Sequence, residues 1–269
     1  MSAPAAIAAA PPLAQRRFVL ATDLDGTFLG GSARDRLTLY EWIEANRDEI
    51  GLIFVTGRDP AFLEDLCRGD PPWPDYVVGD VGTTIAEMAF ESPNQGRVRP
   101  IAELEAEIAA IWGDGGAAVR AALEGAPGLT LQPTPFRHRV SYDYDPAAFD
   151  PATIERVAAL GHDHLISADR FFDVLPKGVS KGPSLRRLLA HLGVAEDRVL
   201  AAGDTLNDLS MLACGVPAVA VGGSEPALLA QLDGAGQVHA ARAEGAGGIL
   251  EAIAALGLHP SPPTPEAPR

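Results

Sequence analysis

Two aspartates separated by one residue follow an apolar run near the start of the chain, in Asp23-Leu24-Asp25-Gly26-Thr27. The run Phe18-Val19-Leu20-Ala21 has the length and composition of a buried strand, and Gly26 supplies a turn signal after it. Alternate residues of an extended segment project to one side, so both carboxylates face the same space. Like charges held that close raise each other's pKa unless a cation or a transferable proton resolves the conflict. A divalent metal resolves it for one carboxylate, and proton transfer suits the other. An ordinary acidic turn is the plain alternative, because Asp and Gly are common turn residues.

The elements around this pair decide between the two. Leu52-Ile53-Phe54-Val55 is a second apolar strand and runs into Thr56-Gly57-Arg58. Val199-Leu200-Ala201-Ala202 is another, and runs into Gly203-Asp204-Thr205-Leu206-Asn207-Asp208. Shorter strands are expected at Tyr76–Val78, Pro217–Val221 and, at an edge, Gln237–Ala240. Helical patterns separate them: 37–50, 61–68 behind an Asp59 cap and Pro60, 185–192 ending at Gly193, 208–214, a Ser224-capped stretch to Leu232, and 248–256. Strands alternating with helices predict an α/β core with a parallel sheet. Ligands of such a sheet bind at the carboxyl ends of its strands, where these polar clusters lie. Lys181, opening a helix shortly before the Val199 strand, brings a cation to the same edge.

Between these two thirds the texture changes. From Thr83 to Leu175 the pattern gives an entry strand, helices at 101–112 and 117–123, strands near 129–131 and 138–144, a helix at 152–160, and strands near 164–167 and 171–175. Helix-strand-strand occurs twice, as expected of an α+β insertion with an antiparallel sheet. The expected organisation is a disordered leader over 1–15, a core of 16–82 and 177–258, a cap of 83–176, and a disordered tail over 259–269. The junctions Gly79-Asp80-Val81-Gly82 and Pro176-Lys177-Gly178 have hinge-like composition.

Composition removes several function classes. The net charge of −15 disfavours nucleic acid and anionic membranes as partners. No apolar stretch reaches spanning length, and the start lacks the basic residues of a signal peptide. The 2 cysteines, Cys67 and Cys214, stand in no metal-like spacing, which suits free thiols and a cytoplasmic location. His162-Asp163-His164 follows Gly161 at a helix end and reads as a solvated turn rather than a metal site. Of 21 basic residues only Lys177 and Lys181 are lysines, both in Leu175-Pro176-Lys177-Gly178-Val179-Ser180-Lys181-Gly182. A compact point charge in an otherwise arginine-using chain fits recognition of phosphate or carboxylate.

Asp-Leu-Asp-Gly-Thr, Thr-Gly-Arg, Lys-Gly before a helix, and Gly-Asp-x-x-Asn-Asp resemble, in this order, the four motifs of the haloacid dehalogenase-like (HAD) superfamily. The insertion resembles the large cap of its type IIB phosphatases. Val81-Gly82-Thr83-Thr84-Ile85 and Asp173-Val174-Leu175-Pro176-Lys177-Gly178 resemble segments of sucrose-phosphate phosphatases and related sugar-phosphate phosphatases. The resemblance implies a Rossmann-like core and Mg²⁺-dependent hydrolysis of a small phosphorylated sugar, such as a disaccharide phosphate, through an aspartyl-phosphate. It assigns Asp23 as nucleophile, Asp25 as acid and base, and Thr56 and Lys181 as stabilisers of the transferring phosphoryl group. Gly26, Gly57 and Asn207 are expected at the phosphate. The metal would be held by Asp204, Asp208, an Asp23 oxygen and the Asp25 carbonyl, with Asp208 acting directly or through water. Arg137, His138, Asp173 and Lys177 are the expected sugar contacts from the cap. A monomer or weak dimer is expected. A sugar phosphomutase and a non-catalytic partner of a sugar-synthesising enzyme are the alternatives, and intact motifs weigh against the latter.

Overall fold

Apolar strands in the first and last thirds assemble into one sheet, and the middle third builds a second. The computed structural model describes residue 7 and residues 10–92, 95–134, 136–234 and 237–264. The larger sheet contains β1 (Phe18–Thr22), β2 (Ile50–Val55), β3 (Tyr76–Gly79), β4 (Thr84–Ser92), β5 (Gln95–Pro100), β10 (Val199–Gly203), β11 (Ala218–Gly222) and β12 (Val238–Glu244). Their spatial order is β12-β11-β10-β1-β2-β3-β4-β5. β1 pairs in parallel with both β10 and β2, so the strand order reverses direction at β1. That reversal opens a crevice beyond the carboxyl end of β1, the natural ligand position of a doubly wound sheet.

Both faces of this sheet are covered, which is why its central strands are apolar throughout. On one face, helices α1 (Ala33–Ala45) and α9 (Gly245–Ala255) bury Leu39, Ile43, Ile249 and Ile253 against Leu20, Leu52 and Phe54. On the other, α6 (Lys181–Leu192) and α8 (Pro226–Leu232) bury Leu185, Leu188 and Leu228 against Val19, Ala21 and Ile53. Each fully buried aliphatic side chain of this kind contributes about 1.5–3 kcal/mol.

The insertion divides differently from the expected cap of 83–176. β4 and β5 form an antiparallel hairpin that extends the core sheet from β3. Edge pairing is a tertiary event, and the polar alternation of Gln95–Pro100 carries little strand signal. Helix α3 (Ala102–Trp112) then spans both bodies: Leu104 and Ile108 pack in the core cluster, and Trp112 in that of the cap. The cap sheet is β6 (Leu129–Leu131), β7 (Val140–Tyr144), β9 (Phe171–Leu175) and β8 (Asp163–Ser167), antiparallel in that order. Val140, Tyr142, Phe172 and Val174 pack with Val119 of α4 (Gly115–Ala122) and Val157 of α5 (Ala152–Ala159). Alternation places Ser141 and its register partner Asp173 on the opposite face.

The ends of the chain hold local structure where they are described. Leu13–Gln15 forms a 3-10 turn with Leu13 buried, and His259 is buried edge-on against Trp42 at 5.0 Å between ring centroids. The remainder of the expected leader and tail, residues 1–6, 8–9 and 265–269, lies outside the described residues. Cys67 and Cys214 are free thiols.

Candidate active site

The last ladder bond of β1, from the Asp23 amide to the Ala202 carbonyl at 2.9 Å, sets Asp23 at the mouth of the crevice. The chain then turns tightly through Gly26 at φ +82°, a left-handed conformation that favours glycine. A Cβ there would collide with the Asp204 carboxylate, so the first motif and the fourth can approach only because residue 26 is glycine. Thr27 Oγ1 donates to Asp204 Oδ1 at 2.7 Å and fixes that carboxylate. On the far side, Thr205-Leu206-Asn207-Asp208 begins with a capping box. Asp208 Oδ2 accepts the amides of Asp204 at 3.0 Å and Thr205 at 3.1 Å.

Lys181 closes the constellation. Its side chain is 0% exposed, and its ammonium donates to Asp23 Oδ1 at 2.7 Å, Asn207 Oδ1 at 2.8 Å and Asp208 Oδ1 at 2.6 Å. Three donors matched by three oxygens make a buried ammonium tolerable, because desolvation is met by full hydrogen bonding. Burial pulls its pKa down, but Asp208 and Asp23 outweigh that and hold it above the usual lysine value. Asp23 responds oppositely. Burial pushes its carboxyl from 3.8 to about 7, with Asp208 and Asp204 adding repulsion that Lys181 only partly offsets. Asp204 is raised to about 6, again mainly by burial.

Asp23, Asp204 and Asp208 offer carboxylate oxygens within 4.8 Å of one another. These are hard oxygen donors of the kind Mg²⁺ takes. Asp23 and Asp204 each keep one oxygen without a hydrogen bond among the described residues, whereas both Asp208 oxygens are engaged. The residues present therefore fit a divalent ion, whose charge would also relieve the crowding that raises two of these pKa values.

The other expected residues are distributed less evenly. Thr56 directly follows β2, the strand paired with β1, and its Oγ1 accepts the Arg58 amide at 3.2 Å. Asp25 is half-exposed and gripped by Arg58, Nε to Oδ2 at 2.8 Å and the second amino group to Oδ1 at 3.0 Å. In the cap, Asp173 is buried and accepts from Ser141 Oγ and, at 3.1 Å, from Arg139. Arg137 and His138 both pair with Glu105 of α3. Lys177 pairs with Asp163 at 2.8 Å at the second hinge. Arg58, Thr27, Glu105 and Arg139 are participants that the motifs alone did not assign a role. For Arg139 a signal existed: counting by two from it gives Ser141, in the same phase as Asp173 across the sheet.

A doubly wound core with four motifs at one sheet edge and an α+β insert defines a phosphatase of the haloacid dehalogenase-like superfamily. Residues 16–257 match the family described as sucrose-6F-phosphate phosphohydrolase, and the chain belongs to that family. It is similar to sucrose-phosphatase from Synechocystis, solved with sucrose and phosphate, at a TM-score of 0.77 and 25% identity over 90% of this chain and 99% of that one. It is 29% identical over 257 residues to mannosylfructose-phosphate phosphatase of Agrobacterium fabrum, covering 90% of this chain and 98% of that protein. It is 43% identical over 242 residues, 89% of its length, to glucosylglycerol-phosphate synthase of Pseudomonas anguilliseptica, of whose length it spans 31%. Among the described residues no helix is long and apolar enough to cross a membrane.

Proposed function

We propose that this chain hydrolyses the phosphate monoester of a small glycoside, a sugar joined to a phosphorylated sugar or polyol. The observation that supports it most is the buried Lys181 ammonium gathering Asp23, Asn207 and Asp208 at the carboxyl ends of the core strands. Each of the three relatives' names carries a phosphorylated glycoside, which favours that class over a bare hexose phosphate.

Asp23 attacks phosphorus, forming an acyl-phosphate bond as the bond from phosphorus to the leaving glycoside oxygen breaks. Asp25 gives that oxygen its proton, then takes one from the water that hydrolyses the aspartyl-phosphate. For this its carboxylate must leave the two-pronged Arg58 grip, in which both oxygens are occupied. Thr56 Oγ1, already accepting from Arg58, keeps its own proton to donate to a phosphoryl oxygen, beside the Gly57 and Gly26 amides. Lys181 and Asn207 hold the nucleophile and the phosphate in register.

Asp23 and Asp204, with the Asp25 carbonyl, would hold Mg²⁺, and Asp208 would act through water while anchoring Lys181. When bound, the ion screens the negative charge between nucleophile and phosphate. Asp173 is the cap residue favoured to read sugar hydroxyls: its Oδ1 is held by Arg139 and Ser141, and its Oδ2 accepts no hydrogen bond among the described residues, whereas Arg137, His138 and Lys177 each pair with a carboxylate. The net charge of −15 weighs against nucleic acid and anionic membranes as partners, and the free thiols suit a reducing, cytoplasmic compartment.

The test is phosphate release with Mg²⁺ from sucrose 6-phosphate, mannosylfructose phosphate, glucosylglycerol phosphate and simple hexose phosphates. Release from at least one of the three glycosides, faster than from the hexose phosphates, is expected. No release from any of them overturns the reading, and isomerised substrate without free phosphate indicates a mutase.

A further inference from the structure

Thr56, Gly57 and Arg58 form the loop that follows β2, and each of their carbonyls has a partner. The Thr56 carbonyl accepts from the Val81 amide at 3.1 Å, and the Arg58 carbonyl from the Asp80 amide at 3.0 Å. Both donors are backbone of the hinge, held with Asp80 and Val81 at φ 53° and 60°, a strained conformation for a β-branched residue. The Gly57 carbonyl differs. Its partner is a cap side chain, Arg139, at 3.1 Å.

Arg139 is 6% exposed and reaches three elements at once. One amino group binds Asp173 on β9 at 3.1 Å; the other binds Gly57 and lies 3.5 Å from Asp80. The guanidinium lies over the Phe136 ring, 3.6 Å from Cζ to the ring centroid. The peptide that carries the Gly57 carbonyl also carries the Arg58 N–H, which donates to Thr56 Oγ1. Fixing one end of a planar peptide fixes the other. Arg139 therefore orients the Arg58 amide, which in turn leaves the Thr56 proton pointing away from it.

We infer that Arg139 is a positioning residue: it couples the cap, through the Gly57–Arg58 peptide, to the Thr56 hydroxyl that meets the phosphate. The inference rests on the phosphatase reading. It requires a fork, because two acceptors on different bodies of the chain must be held by two amino groups in one plane. A lysine keeps the charge beside Asp173 and Asp80 but cannot hold both acceptors in that geometry.

The experiment is a double-mutant cycle between Arg139→Lys and Thr56→Val in the intact chain with Mg²⁺. It is run on p-nitrophenyl phosphate and on the best glycoside phosphate of the panel. Arg139→Lys lowers kcat about tenfold on both substrates, as loss of part of one donor's contribution. Thr56→Val costs about 100-fold alone and about tenfold in the Arg139→Lys background, because both changes remove the same hydroxyl contact. Equal Thr56→Val factors in both backgrounds overturn the inference. So does an Arg139→Lys effect confined to KM for the glycoside, which marks a direct sugar contact. If Arg139→Lys fails to fold by its melting curve, Arg139→Gln enters the same cycle with the same criteria. A wild-type chain inactive on every substrate sinks the phosphatase reading instead, so the two failures are distinct.

Discussion

The core crevice and the cap face handle charge in opposite ways. In the crevice, Lys181 and Asp208 are fully buried, and one ammonium serves three oxygens supplied by two motifs. In the cap, Arg137–Glu105 and Lys177–Asp163 are exposed or half-exposed pairs on long side chains. Buried charges are rigid and coupled, and removing one strands its partners at large cost. Exposed pairs are screened and contribute about 0–1 kcal/mol each. The proposed chemistry is thus built into the part of the molecule that tolerates least change, and the cap's exposed pairs lie where substitution is cheap, with the buried Arg139–Asp173 pair as the cap's exception.

The largest expected effect is at the nucleophile. Asp23→Asn lowers phosphate release by about 10⁴-fold or more, since no other group can form the covalent intermediate. The same substitution carries a pH signature in the metal-free protein. The Asp23 carboxyl sits at about 7 in the folded chain against an ordinary 3.8, so its contribution to stability is complete below pH 3.8 and lost as pH rises through 7. The Asn chain lacks that loss. In EDTA its melting temperature should therefore gain on wild type between pH 5 and pH 8, by thermal denaturation; a gap that narrows or reverses would contradict the burial argument.

Next comes the centre of the cluster. Lys181→Met should cost about 10²–10³ in kcat and about 3–5 kcal/mol of stability, because Asp208 is left buried and unpaired. Denaturant unfolding beside steady-state kinetics separates the two. A variant with native stability would mean that the crevice is wetter than its burial indicates.

In the cap, Asp173→Asn should lower kcat/KM for the best glycoside phosphate by about 10–100-fold and for p-nitrophenyl phosphate far less. Equal losses on both substrates would place Asp173 with the core chemistry and erase the contrast. Smallest of all, Arg137→Ala should change KM by less than about threefold and stability by less than about 0.5 kcal/mol. A tenfold rise in KM would show that this arginine leaves Glu105 to bind substrate.

Much of this contrast was legible beforehand, for a physical reason. Asp23, Thr56, Lys181, Asp204 and Asp208 lie directly after apolar strands or at a helix start, so local pattern places them at one sheet edge. What escaped depends on contacts distant in sequence. Glu105 sits in an Ala- and Glu-rich helix that looks like any solvated one, yet it serves Arg137 and His138, 32 and 33 residues away. The β5 strand forms because β4 offers an edge, not because Gln95–Pro100 favours extension. Arg58 lay inside a motif but showed its grip on Asp25 only once β1 and β2 were side by side.

The scarcity of lysine has a practical side. One of the two side-chain amines, Lys181, is 0% exposed and locked among carboxylates, while Lys177 stands 73% exposed at the second hinge. Acylating reagents attack the free, uncharged amine at the surface, so among lysines a fluorophore ester should mark Lys177 alone. The chain carries a built-in attachment point for a reporter between core and cap, without any cysteine having to be introduced.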